Sequence, residues 1–194
     1  MNENKKFKLV EKKFFPELNR ELWQIKAISD FGGVKAGDKG GWVEKEDNIQ
    51  VSGNAWVYGD ARVYGDAWVY GDARVYGDAR VSGNAWVSGN AWVSGNAWVS
   101  SDAQVSGNAW VYGDAQILLL GKLGEHCRFV TAFPAKNKTV KVACGCFLGS
   151  IDEFEIAVEK KYGADCDYMD IIPLLRRKEK VWAAEMKEQE SENK

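Results

Sequence analysis

The sequence predicts an all-β solenoid: a parallel β-helix of hexapeptide repeats, with a small N-terminal β cap at one end and a hairpin plus helices at the other. Three observations carry this. From Val51 to Gln116 one phrase, Val-(Ser/Tyr)-Gly-(Asn/Asp)-Ala-(Trp/Arg/Gln), is written eleven times, with Ser101 once in place of the glycine. Its first place is always valine and its fifth always alanine, the pattern of a narrow core lined by one medium and one small residue per short strand. The period fades on both sides, and a solenoid end needs a cover because its open backbone groups would otherwise pair with another chain.

Taken in order, residues 1–42 form the cap. Two strand-like runs, Lys6 to Val10 and Leu22 to Ile28, are followed by a glycine-rich stretch through Gly32-Gly33, Gly37-Asp38 and Gly40-Gly41. Residues 43–122 form the β-helix. Val43 and Ile49 stand six apart and mark a degenerate first turn, whereas the slip between Ile49 and Val51 calls for a bulge or corner. In each hexad the strand is Trp-Val-Tyr or its equivalent, and Gly-Asn/Asp-Ala makes the corner. Three hexads close a triangular turn, and turns stack at about 4.8 Å, giving four rungs when Ile117 to Lys122 is counted as the last hexad. Residues 123–190 hold a hairpin from Arg128 to Ala143 turning at Pro134 to Lys138. A helix over 151–162 then follows, opened by the Ser150/Glu153 capping box and stopped at Gly163. A last helix spans about Asp165 to Glu188 with Pro173 as a kink or early break, and the end of the chain, 191–194, is a frayed tail.

The totals exclude several function classes. A net charge of -2 over 194 residues, with Lys and Arg balanced by acids at both ends, is not the surface of a duplex nucleic-acid binder. No stretch approaches the roughly 20 apolar residues of a membrane helix, and the start Met-Asn-Glu-Asn-Lys-Lys carries no apolar run, so the expected location is the cytoplasm. The four cysteines, Cys127, Cys144, Cys146 and Cys166, are then reduced thiols. Cys144-Gly145-Cys146 is too close a pair for the usual zinc knuckle; all four thiols together could make a site, but ordinary buried or hairpin cysteines suffice. No metal or cofactor is expected.

Chemistry must therefore come from the two positions beside each valine, which point outward. The position before valine reads Trp56, Arg74, Trp92, Trp110 on one face, Arg62, Arg80, Trp98, Gln116 on the second, and Trp68, Trp86, Gln104, Lys122 on the third. The position after it reads Ser52, Tyr70, Ser88, Ser106, then Tyr58, Tyr76, Ser94, Tyr112, then Tyr64, Ser82, Ser100, Leu118. Six outward tryptophans exceed the apolar surface that a soluble monomer usually leaves bare. Rings stacking on rings and guanidinium groups, or burial between subunits of a homo-oligomer, most simply a trimer, would cover them. Alternatively Trp56, Arg62, Tyr70, Arg74, Arg80, Trp92, Trp98 and Trp110 bind a small-molecule or nucleotide-like ligand, with bases on the rings and phosphate on the guanidinium groups.

The phrase Val-x-Gly-(Asn/Asp)-Ala-x resembles the hexapeptide repeat of left-handed β-helix proteins, whose best-known members are trimeric acyltransferases. More closely, Asp30-Phe31 with Val34, Gly37-Asp38, Gly40-Gly41-Trp42-Val43-Glu44 and Asn48-Ile49 resembles the lead-in segment of the YdcK-like hexapeptide proteins common in phages and prophages. Val142-Ala143-Cys144-Gly145-Cys146-Phe147, Gly149, Glu153-Phe154, Val158 and Tyr162-Gly163 are similar to that family's far end. The resemblance implies a left-handed parallel β-helix, a phage or prophage setting and a host-cytoplasm location, but no activity. Acyl transfer on this fold generally uses a histidine as general base; the single histidine, His126, follows the repeat, so the expectation leans away from an enzyme. Three functions stay open: a non-enzymatic protein that binds a small phosphorylated or nucleotide-like ligand, as a sponge for a host immune nucleotide signal would; a structural or protein-interaction scaffold; and a hexapeptide-type acyltransferase.

Overall fold

A computed structural model describes residues 6–50, 53–113, 117–125, 128–135 and 139–192, with the side chains of Lys122 and 186–192 left aside. The expected Ser52, Gln116, His126, Cys127 and the turn at 136–138 lie outside the described residues.

β1 (Phe7–Phe15) and β2 (Arg20–Ala27) form an antiparallel hairpin that β3 (Lys39–Val43) extends. β3 is where the cap becomes solenoid, because its other edge pairs in parallel with β5. A short 3-10 turn (Glu46–Asn48) leads to the Ile49 bridge with Val69. The repeat then supplies ten short strands: β4 (Trp56–Val57), β5 (Arg62–Val63), β6 (Trp68–Val69), β7 (Arg74–Val75), β8 (Arg80–Val81), β9 (Trp86–Val87), β10 (Trp92–Ser94), β11 (Trp98–Val99), β12 (Gln104–Val105) and β13 (Trp110–Tyr112). Together with β3 they sort into three parallel stacks, β4-β7-β10-β13, β3-β5-β8-β11 and β6-β9-β12. The chain is thus a parallel β-solenoid of about four turns.

The core is the valine-alanine column. Every described valine and alanine of the repeat is buried, most of them completely. At roughly 1.5–3 kcal/mol for each fully buried valine, this column is the main favourable contribution, and it depends on rungs stacking because one rung has no core of its own. The corners are pinned by glycines with φ between 59° and 77°, and Ser101 takes the same left-handed conformation at φ 59°. Gly89 shows why: a Cβ there would lie 2.9 Å from the amide nitrogen of Gly107 on the next rung.

Two local expectations change. Ile49 pairs with Val69, whereas Asn54 bonds Asp72, and Gln50 takes the place below Tyr70 where Ser52 was expected. Asn48 ties this turn together: its fully buried amide donates to the carbonyls of Gly65 (3.1 Å) and Ala67 (2.9 Å) and accepts from the amides of Glu44 and Lys45. At the far end, Ile117 to Lys122 is not a further rung. β14 (Leu118–Leu123) runs antiparallel to β15 (Arg128–Pro134), which continues through β16 (Val140–Cys144) to β17 (Phe147–Gly149). Leu118, expected on a ladder, belongs to this sheet. The run Leu118-Leu119-Leu120 has no hexad corner, so it alternates between two apolar faces instead. Leu119, Phe133 and Ala143 close the solenoid core, while Leu118, Leu120, Val130 and Val142 pack against helices.

Those helices are α1 (Ile151–Tyr162), α2 (Asp167–Asp170) and α3 (Ile172–Glu192). The capping box of α1 is formed, with Ser150 Oγ accepting from Glu153 N and Glu153 Oε2 from Ser150 N. The expected single last helix is divided before Pro173, at the first turn of α3, where proline is tolerated; α3 then continues beyond Glu188. Tyr168 donates to the Leu123 carbonyl at 2.9 Å, and burial pushes its hydroxyl up to about 12.

Candidate functional site

The ladders have the composition expected of them. Trp56, Arg74, Trp92 and Trp110 stand in register on one sheet, Arg62, Arg80 and Trp98 on the second, with Trp42 beneath, and Trp68, Trp86 and Gln104 on the third. The eight candidate residues therefore occupy three faces of a prism and do not converge on one pocket.

Their surroundings differ sharply. Trp56 was expected to face outward; instead only 1% of it is exposed. Phe7, Phe31 and Tyr58 surround its ring edge-on at 6.2, 5.4 and 6.5 Å, so it is a core residue of the cap. Arg62 lies over the Phe15 ring at 4.4 Å and pairs with Glu17 at 2.6 Å, both from the hairpin. Its Nε is buried without a hydrogen-bond partner among the described residues. Arg74 donates to the Gly32 carbonyl at 2.9 Å and the Tyr76 hydroxyl at 3.4 Å, and its guanidinium carbon stands 6.0 Å from the Trp92 ring. Gly32 can offer that carbonyl because φ 50° turns the loop back at Phe31, where Asp30 is tied to Lys35 and Ala36.

The Arg80 side chain forms no hydrogen bond or ion pair among the described residues, although its charge is felt by Glu17. Backbone hydrogen bonding, then Arg62 and Arg80, hold the Glu17 carboxyl below the usual range. Tyr70 is half-buried and meets Trp86 edge-on at 6.4 Å, and Trp86 stacks on Trp68 at 6.0 Å. Trp98 is 58% exposed and donates from Nε1 to Ser82 Oγ at 3.2 Å, which lays its ring across the neighbouring rung.

One face carries more than was singled out. On β4-β7-β10-β13, Tyr58 stacks on Tyr76 at 4.3 Å and 8°, Tyr76 meets Trp92 at 5.8 Å, and Trp92 meets Trp110 at 6.5 Å. Tyr112, 44% exposed, ends the row beside Trp110. Tyr58, Tyr76 and Tyr112 were legible as a ladder, and what joins them to the tryptophans is their place on the same strands. A concavity of about 770 Å³ beside the hairpin tip is lined by Phe14, Leu18, Asn19, Arg20, Glu21 and Glu44, none of them a candidate residue. Arg20 and Glu44 close it with an ion pair of 2.5 Å.

Among the described residues no group of three or more His, Cys, Asp or Glu is placed to hold a metal ion, and Cys144, Cys146 and Cys166 are free thiols. Burial raises the Cys144 thiol above its ordinary value. Among the described residues no helix is long and apolar enough to cross a membrane.

Residues 55–71, 73–89 and 103–118 match the family model described as the YdcK β-solenoid repeat. Over that span the chain is a YdcK-like β-solenoid. The three matched stretches lie in the ladders and reach the start of β14. No curated protein matches the chain, and no activity comes to the YdcK-like solenoid by kinship.

Proposed function

We propose that this is a non-enzymatic binding protein, a rigid rack whose side faces present aromatic rings to a partner. One observation supports it above the others: Trp68, Trp86, Trp92, Trp98 and Trp110 are all 40% or more exposed along a solenoid whose two ends are covered. Rings exposed along the sides, outside the core, mark an interaction surface. Self-association as a cytoplasmic homotrimer, with faces of neighbouring prisms in contact, is the assembly this reading favours. Replacing Trp68, Trp86 and Trp98 together by Ser tests it. The variant is expected to melt close to wild type but to lose partner binding or assembly, read by light scattering and pull-down; unchanged mass and unchanged capture would refute the reading.

A second reading, a small phosphorylated or nucleotide-like ligand, is favoured by Arg80, a guanidinium without a partner among the described residues, one rung below the exposed Trp98. A phage-encoded sponge for a nucleotide signal would need no more than such a platform repeated across subunits. Calorimetry with cyclic nucleotides and NAD-derived compounds tests it, with heat expected for wild type and none for Arg80→Ala.

A further inference from the structure

Positive charge gathers on one row of the cap sheet. In the hairpin Lys8 stands directly opposite Lys26, and Lys26 directly opposite Lys39 on β3. Residues in register project to the same face, so three ammonium-bearing side chains line up across three strands spaced about 4.8 Å apart. Like charges placed opposite one another destabilise a sheet. Lys39 is relieved by Glu11, which reaches it at 3.5 Å. Lys8 and Lys26 form no ion pair among the described residues, because Glu21, the other acid of the two hairpin strands, is taken by Lys12.

The row ends at an open edge. β1 is the outermost strand of its sheet, and no described strand pairs with its other side. Ile28 donates its amide to the Lys6 carbonyl. The alternation of an antiparallel ladder then turns the backbone groups of Lys8 toward β2 and those of Phe7 and Leu9 away from it. Lysine on an edge strand commonly guards that edge against pairing. Such guarding accounts for Lys8 but not for Lys26 and Lys39, which lie on inner strands.

One added strand would satisfy both features. Its backbone would bond Phe7 and Leu9, and its residue opposite Lys8 would take the fourth place of the row, where a carboxylate offsets the repulsion between the lysines. We propose that β1 accepts an acidic, extended segment of a partner protein as a further strand, with its carboxylates beside Lys8 and Lys26. The bulge after Leu9 confines the pairing to the start of β1. A second copy of β1 is the poorer match, because it would bring Lys8, Lys12 and Lys13 against the same row. Lys8, Lys26 and Lys39 belong to none of the aromatic ladders, so the inference goes beyond the function proposed above and does not depend on it.

Fluorescence anisotropy of labelled Val-Glu-Val-Glu-Val-Glu-Val with the full chain tests it. The comparison probes are the same peptide with Lys for Glu, the same peptide with its valine amides N-methylated, and labelled poly(dT). In the added strand the valine amides are the ones that face Phe7 and Leu9, so methylation removes the strand pairing and keeps the charge. A saturable rise is expected for the unmethylated Glu peptide alone, and it should shrink as salt is raised. Lys8→Glu and Lys26→Glu should each weaken binding by about tenfold or more, with melting no lower than wild type, whereas Lys180→Glu on α3 should bind as wild type. Absence of a rise, equal binding of the methylated peptide or of poly(dT), equal loss in Lys180→Glu, or full retention by both hairpin variants would overturn the proposal. A change of oligomeric mass in Lys8→Glu without peptide binding would overturn it too, assigning the edge to a second copy.

Discussion

The two halves of the solenoid share one backbone and one core yet spend their outward side chains differently. In the half nearest the N-terminal cap the hexads are mostly Val-Tyr-Gly-Asp-Ala-Arg, and in the other half mostly Val-Ser-Gly-Asn-Ala-Trp. Arg62 is held by Phe15 and Glu17, Arg74 by Gly32, and Asp66 by Lys45, so the charged half is tied to the segment that precedes it. Trp86, Trp92, Trp98 and Trp110 of the other half stay exposed, and their ring contacts and hydrogen bonds described above are with other rungs, not with the hairpin or loop of the N-terminal segment. A repeat can therefore hold its core positions constant while neighbouring rungs serve different purposes, because Val, Ala and the ladder bonds couple each rung to the next whatever the outward side chains are.

Substitutions in the shared core should erase the contrast altogether. Val75→Asp and Val93→Asp each place an unpaired charge in a fully buried column and are expected to prevent folding in either half, seen as loss of the cooperative thermal transition. Gly89→Val, with φ 65° and no room against Gly107, should cost at least about 2 kcal/mol.

The contrast itself is sharpest at one hexad position. Trp56→Ala should destabilise by about 3–5 kcal/mol, since it empties a site beneath the cap, whereas Trp98→Ala should stay within about 0.5 kcal/mol. Equal losses in chemical denaturation would contradict the division into a capped and a bare half. The arginines give a smaller version: Arg62→Ala is expected to cost about 1–2 kcal/mol through its ring contact and packing, and Arg80→Ala almost nothing.

The smallest effect is electrostatic. Glu17 has a lowered pKa in the folded chain, so its contribution is present above the ordinary carboxylate range and is lost as pH falls through the folded value. The melting difference between wild type and Glu17→Gln should therefore be measurable near neutral pH and vanish in acid. Salt should shrink it as well, because the Glu17 side chain is exposed.

Much of this organisation was legible from residues. Folding the hexads by threes placed Trp56, Arg74, Trp92 and Trp110 on one sheet in register, and the Ser150/Glu153 pair marked the start of α1. The burial of Trp56 was not legible, since Phe7 and Phe31 reach it from outside the repeat and no local pattern connects them to it. The engagement of Arg62 and Arg74 was hidden for the same reason, their partners lying 45 and 42 residues away. Ile117 to Lys122 misled because its apolar residues fit either a rung or a cap strand, and only the pairing with β15 chooses.

By itself, then, the sequence determined the core, the corners and the order of the ladders, because a six-residue period with Val and Ala inward and Gly at each left-handed corner is compatible with little else. Tertiary structure alone decided which outward residues are bare. That choice depends on where the caps fold over the rack, and long-range docking of a hairpin and a loop leaves no periodic trace in the chain.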